Sequence, residues 1–112
     1  MTENPWLSTQ VAQWEHALAL LRAEGWIARL TCPVAPVQIE GALPSGHGFH
    51  FRARHNGVSL RVWPQEKEGR GWQGEVEYAG AREAASYLPA ADGLPILRDL
   101  CQQALRAMDD AG

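Results

Sequence analysis

Leu7, Val11, Trp14, Leu18 and Leu21 recur at steps of four and three residues, which places them on one stripe of a helix. Asn4 stands where an N-cap belongs, Pro5 at the first helical position, and Gly25 where a left-handed residue stops the helix. Such a stripe is expected to lie on a sheet, leaving Gln10, Gln13, Glu15 and Arg22 largely in water.

From residue 26 onward the period changes. Trp26 to Thr31 is rich in aromatic and β-branched side chains, and Pro33 limits how far its pairing can run. Val37, Ile39, Gly41 and Leu43 then alternate with Gln38, Glu40 and Ala42 up to the breaker cluster Pro44-Ser45-Gly46-His47-Gly48. Phe49 to Trp63 reads as one hairpin, because Asn56-Gly57 suits a two-residue type I′ turn. Counting outward pairs His55 with Val58, Arg54 with Ser59, Ala53 with Leu60, Arg52 with Arg61, Phe51 with Val62 and His50 with Trp63. One face of this hairpin is apolar and the other cationic.

Pro64 to Gly71 is a charged loop, and Trp72 to Tyr78 alternates again as a further strand. An alanine-rich helical piece from about Ala81 to Tyr87 is expected to stop at Pro89. A final helix beginning near Asp92 to Pro95 carries Leu97, Leu100, Cys101, Ala104, Leu105 and Met108 on its apolar face. Asp109 and Asp110 oppose the negative end of that helix, so its last turn is expected to fray.

The order predicts an α+β fold: an antiparallel meander of four to five strands, with N-terminal and C-terminal helices on one face, in one domain over residues 1–112. The helices should cover Phe49, Phe51, Leu60, Val62, Val76 and Tyr78, leaving the opposite face open. In this order the chain loosely resembles small acidic partner-binding proteins such as immunity proteins and secretion chaperones. No motif transfers residue by residue.

Bulk composition narrows the classes. The 112 residues fit one core, and 46% hydrophobic with 21% charged content excludes disordered and fibrous classes. The longest apolar run, Ala17 to Leu21, is far too short for a bilayer, and a start bearing Glu3 and Pro5 lacks a secretory pattern. A cytoplasmic protein with no membrane association is expected. Cys32 and Cys101 form no disulfide framework, and a net charge of -3 gives no global attraction for nucleic acid.

The open face holds the candidate chemistry. Sequential pairing places Gln38 and Glu40, then His50, Arg52 and Arg54, then Ser59, Arg61 and Trp63, then Gln73, Glu75 and Glu77 on it. Two arginines directly opposite one another repel, so either neighbouring carboxylates or an external partner must balance them. An ion-pair ladder would satisfy three arginines with three glutamates. Trp63 and His50, which such a ladder does not need, give the face the composition of an interaction surface. The expected binding residues are therefore Arg52, Arg54, Arg61, Trp63 and His50, the expected partner a protein, and a homodimer one form of that association. Glu40, Glu75 and Glu77 oppose phosphate, which disfavours nucleic acid.

Other chemistry is less well signalled. His47, His50 and His55 do not have the spacing of a metal site, and no cofactor motif is present. The alternative class is a small enzyme or ligand-binding protein around Cys32, Glu40, His47 and His50, with Ser45 as a second candidate nucleophile. No GxSxG, HExxH or phosphate-loop pattern supports catalysis.

Overall fold

The computed structural model describes residues 4–65, 71–80 and 83–111, and shows an α+β fold. Helix α1 (Pro5–Ala23) opens as its sequence predicts: the Asn4 side-chain oxygen accepts from the Trp6 and Leu7 amides at 3.0 and 3.4 Å. It closes on Gly25, where the Gly25 amide donates to the Arg22 carbonyl and the Trp26 amide to the Leu21 carbonyl, a Schellman cap.

Strands β1 (Ile27–Pro33), β2 (Val37–Ala42), β3 (Gly48–Arg54), β4 (Gly57–Trp63) and β5 (Trp72–Glu77) follow. They form one antiparallel sheet in sequence order, five strands among the described residues. A bulge at Thr31 lets β1 run on to Pro33, which pairs with Val37 as its last residue. The Arg22 guanidinium donates twice to the Ala28 carbonyl, at 3.0 and 2.7 Å, on the outer strand of the sheet.

The hairpin reverses the chain at His55 and Asn56, one residue earlier than expected. Arg54 pairs with Gly57, Arg52 with Ser59, Phe51 with Leu60, His50 with Arg61 and Gly48 with Trp63. The predicted Arg52–Arg61 pair is therefore absent. Its cause is tertiary. The His55 amide donates to Ser86 Oγ at 2.8 Å, its carbonyl accepts from the Ala85 amide at 2.9 Å, and its Nδ1 lies 2.8 Å from a Glu83 carboxylate oxygen. These contacts hold His55 at φ 58°, a conformation the sequence reading reserved for Asn56 and Gly57. Register moves by two positions, so every side chain keeps its predicted face.

Instead of the alanine-rich helix, Ala84–Tyr87 forms one 3-10 turn; Ala81 and Arg82 lie outside the described residues. Glu83 at φ 70° prevents a regular helix from entering it. Helix α2 (Ala90–Ala111) starts earlier than predicted and carries Pro95 inside it. The Pro89 carbonyl accepts from the Asp92 and Gly93 amides, which begins the helix ahead of Pro95. The helix runs to Ala111 despite Asp109 and Asp110. Of the predicted loop 64–71, residues 66–70 lie outside the described residues.

Both helices pack on one face. Trp14, Leu18, Leu21, Phe49, Phe51, Leu60, Val62, Leu97 and Leu100 are buried, while Val76 and Tyr78 at the β5 edge are half-buried. Each fully buried large side chain contributes roughly 1.5–3 kcal/mol. Gln10, expected in water, is buried: its Nε2 donates to the Leu88 carbonyl at 2.9 Å and the Pro33 carbonyl at 3.3 Å. Trp14 Nε1 also donates to the Leu88 carbonyl at 2.9 Å. Two further links fasten α2: the Tyr78 hydroxyl donates to Asp92, and Arg98 grips Glu24 at 2.7 and 2.6 Å. The Arg98 hydrogen bonds hold the Glu24 carboxyl below its ordinary range.

Candidate functional site: the open sheet face

Residues that alternate with the buried Phe49, Phe51, Val58, Leu60 and Val62 point away from both helices, which places His50, Arg52, Arg54, Ser59, Arg61 and Trp63 together as predicted. Cross-strand register orders them into rows. One row reads Arg29, Glu40, His50, Arg61, Gln73 from β1 to β5. The next reads Gln38, Arg52, Ser59, Glu75 from β2 to β5, and beside it Arg54, Gly57 and Glu77 run from β3 to β5.

The ion-pair ladder expected from the sequence does not form. Glu40 is taken by Arg29 of β1, at 3.0 Å, and not by an arginine of β3. Among the described residues, Arg52, Arg54, Arg61, Glu75 and Glu77 make no salt bridge. The reason is spacing together with direction, because side chains on one sheet face stand side by side and do not point at one another. Arg52 and Glu75 share a row with Ser59 between them, and Arg54 and Glu77 are separated by Gly57. Strands lie ~4.8 Å apart, so these opposite charges start about 10 Å from each other. The Glu75 carboxylate instead leans over Gly57, where a Cβ would come within 2.9 Å of its Oε1.

Arg52 Nε is shielded from solvent and has no acceptor among the described residues. A shielded donor left unpaired costs roughly 1–3 kcal/mol, a debt a solvated arginine does not carry. Over Gly57 and Ser59, a trough of about 830 Å³ separates the arginine column of β3 from the glutamate column of β5.

Trp63 differs from its expected exposure. It is half-buried, with its indole lying across Gly48, where a Cβ would meet Nε1 at 2.3 Å. The Arg61 guanidinium carbon sits 5.8 Å from the centre of the Trp63 ring, within cation–π range. Beside this pair lies a pocket of about 640 Å³ lined by Glu40, His50, Arg61, Trp63, Trp72 and Gln73.

The alternative set does not converge. Glu40 and His50 are direct cross-strand neighbours and both line that pocket. Cys32 lies opposite Gln38 near the end of β1, where its thiol donates to the Val34 carbonyl at 3.2 Å. His47 belongs to the β2–β3 loop, with Nδ1 2.7 Å from Ser45 Oγ, and it does not line the pocket. His55 is an exposed turn residue bound to Glu83, away from His50. Among the described residues no three His, Cys, Asp or Glu side chains gather as metal ligands, and no helix is long and apolar enough to cross a membrane.

Sequence reasoning missed Arg29, whose pairing needed the β1–β2 register, and the trough, which needed the small residues of β4 to be aligned between charged columns. No protein-family model, curated protein or solved structure matches this chain.

Proposed function

We propose that this chain is a non-catalytic protein-binding module, adaptor-like, immunity-like or chaperone-like, that associates through the open face of its sheet. The observation that carries this reading is the set of unneutralised charges: Arg52, Arg54 and Arg61 make no ion pair among the described residues. Exposed pairs formed within one chain are worth ~0–1 kcal/mol, so little is lost by leaving such pairs unmade. Bonds from guanidinium to a partner's carboxylate in a water-poor interface contribute roughly 1.5–3 kcal/mol each. Trp63, already half out of water and stacked with Arg61, supplies an aromatic anchor of the type found at the centres of interfaces. His50 neighbours Arg61 across the β3–β4 ladder and completes the patch. Free Cys32 and Cys101 suit a reducing compartment such as the cytoplasm.

The catalytic alternative is weaker on geometry, since Cys32 and His47 stand apart from the Glu40–His50 pair. The test is capture of partners by the immobilised full chain, compared with a variant combining Trp63→Ala with Arg52→Glu and Arg54→Glu whose fold is checked by circular dichroism. We expect at least about a tenfold loss of capture, a change of roughly 1.4 kcal/mol or more. Undiminished capture by a folded variant removes this face from consideration.

A further inference from the structure

We infer that the partner this face fits is a second copy of the chain, docked sheet against sheet about a two-fold axis running along β4. The inference rests on reading the open face as an association surface and adds the identity of the occupant. A purely acidic partner placed over the arginine column meets Glu75 and Glu77 about 10 Å away and is repelled by them. The occupant must therefore carry both signs, in opposite order across the strands. A second copy turned about β4 does so by symmetry, because the axis sets β3 of one copy against β5 of the other.

Register makes this match row by row. Arg52 and Glu75 flank Ser59 in one row, and Arg54 and Glu77 flank Gly57 in the next, so Arg52 and Arg54 each face a glutamate of the second copy. In the row of Arg61, His50 faces Gln73 in the same way. Ser59 and Gly57 are small enough to meet their own counterparts on the axis. Stacked sheets sit about 10 Å apart, a gap that an arginine and a glutamate reaching toward each other can bridge. The Arg29–Glu40 pair, neutral within the chain, lies on β1 and β2 and falls outside the overlap of β3, β4 and β5. Charges inside the overlap are the unpaired ones.

Two features limit the strength. Three strands of seven, seven and six residues offer less area than stable interfaces bury, so a weak, concentration-dependent dimer is expected. Arg61 meets its own counterpart on the axis, a like-charge contact eased by its stacking on Trp63.

Sedimentation equilibrium of the full chain over micromolar to millimolar concentration tests the inference. The wild type is expected to dimerise. Arg52→Glu with Arg54→Glu makes both columns acidic, and Glu75→Arg with Glu77→Arg makes both basic; each variant alone is expected to be monomeric. Mixed in equal amounts, the acidic and basic variants are expected to form a heterodimer. Arg61→Gln is expected to tighten the wild-type dimer several-fold, whereas it weakens capture of an acidic partner. A monomeric wild type, a dimer that survives both charge reversals, a mixture that stays monomeric, or a dimer loosened by Arg61→Gln each overturns the inference. If either double variant melts early, the single changes Arg52→Glu and Glu75→Arg repeat the swap. A monomeric wild type whose capture of another protein still requires Arg52, Arg54 and Trp63 defeats this inference alone. Loss of both behaviours defeats the association reading with it.

Discussion

At the scale of single residues, the least expected finding is a buried amide. Gln10 sits one helical turn before Trp14, and together they deliver two donors to the Leu88 carbonyl. Gln10→Leu is expected to lower unfolding stability by about 1–3 kcal/mol in urea titration, because the Pro33 carbonyl loses its contact with Nε2. An unchanged midpoint would show that water or backbone relaxation satisfies these carbonyls. The polarity of Gln10 pointed to solvent, and only the return of the chain through Leu88, far along the sequence, reverses that assignment. Cys101 was legible from the stripe it completes. Burial pushes its thiol from 9.0 up to about 12. Above pH 9 the unfolded chain releases this proton while the folded chain keeps it. Stability should thus fall as pH rises, by up to about 1.4 kcal/mol per unit between the two values. Tyr78, whose hydroxyl is held protonated by its hydrogen bond to Asp92, adds to the same trend. Melting curves at about pH 8, 9 and 10 should show a steeper decline for wild type than for Cys101→Ala. Parallel declines would contradict the burial effect.

Elements were easier to read than their junctions. Period-2 alternation identified β2 to β5, and the capped stripe identified α1, because these signals are repeated over many residues. Turn position rests on one or two residues, and contacts from Glu83, Ala85 and Ser86 outweighed the preference of Asn56-Gly57. Face assignment survived because the shift was by an even number of positions. The start of α2 was misplaced since Pro95 looked like a first-turn residue, whereas the Pro89 carbonyl begins the helix. Gly93, in that first part of α2, lies against Trp14 of α1: a Cβ there would meet the Trp14 ring at 2.4 Å and Leu88 Cδ2 at 2.9 Å. Gly93→Ala gains ~1 kcal/mol of helix propensity but overpacks the core at a cost of roughly 1–3 kcal/mol. The steric term should win. Denaturant unfolding is expected to show net destabilisation, and a more stable variant would mean that Trp14 moves aside freely.

For the whole molecule, the fold class was legible and the balance of its charges was not. Arg52, Arg54, Arg61, Glu75 and Glu77 all reached the predicted face, yet Ser59 and Gly57 hold opposite signs apart and Arg29 takes Glu40. A residue's face follows from parity, whereas pairing depends on which small residue stands between two charges. Because the proposed association is carried by exposed charges, raising ionic strength from about 0.05 to 0.5 M should weaken it markedly. Analytical sedimentation at the two salt levels checks this, and a salt-insensitive or strengthened dimer would point to an apolar interface elsewhere. Arg22, set over the Ala28 carbonyl, has a separate consequence for how the protein behaves when crowded. A flat ribbon with both margins free can recruit neighbours endlessly into fibrils, but a guanidinium plug on one margin leaves growth only at the other. Arg22→Ala should therefore raise the rate of fibril formation by the concentrated protein in a thioflavin T assay, and an unchanged rate would show that this margin is closed by other means.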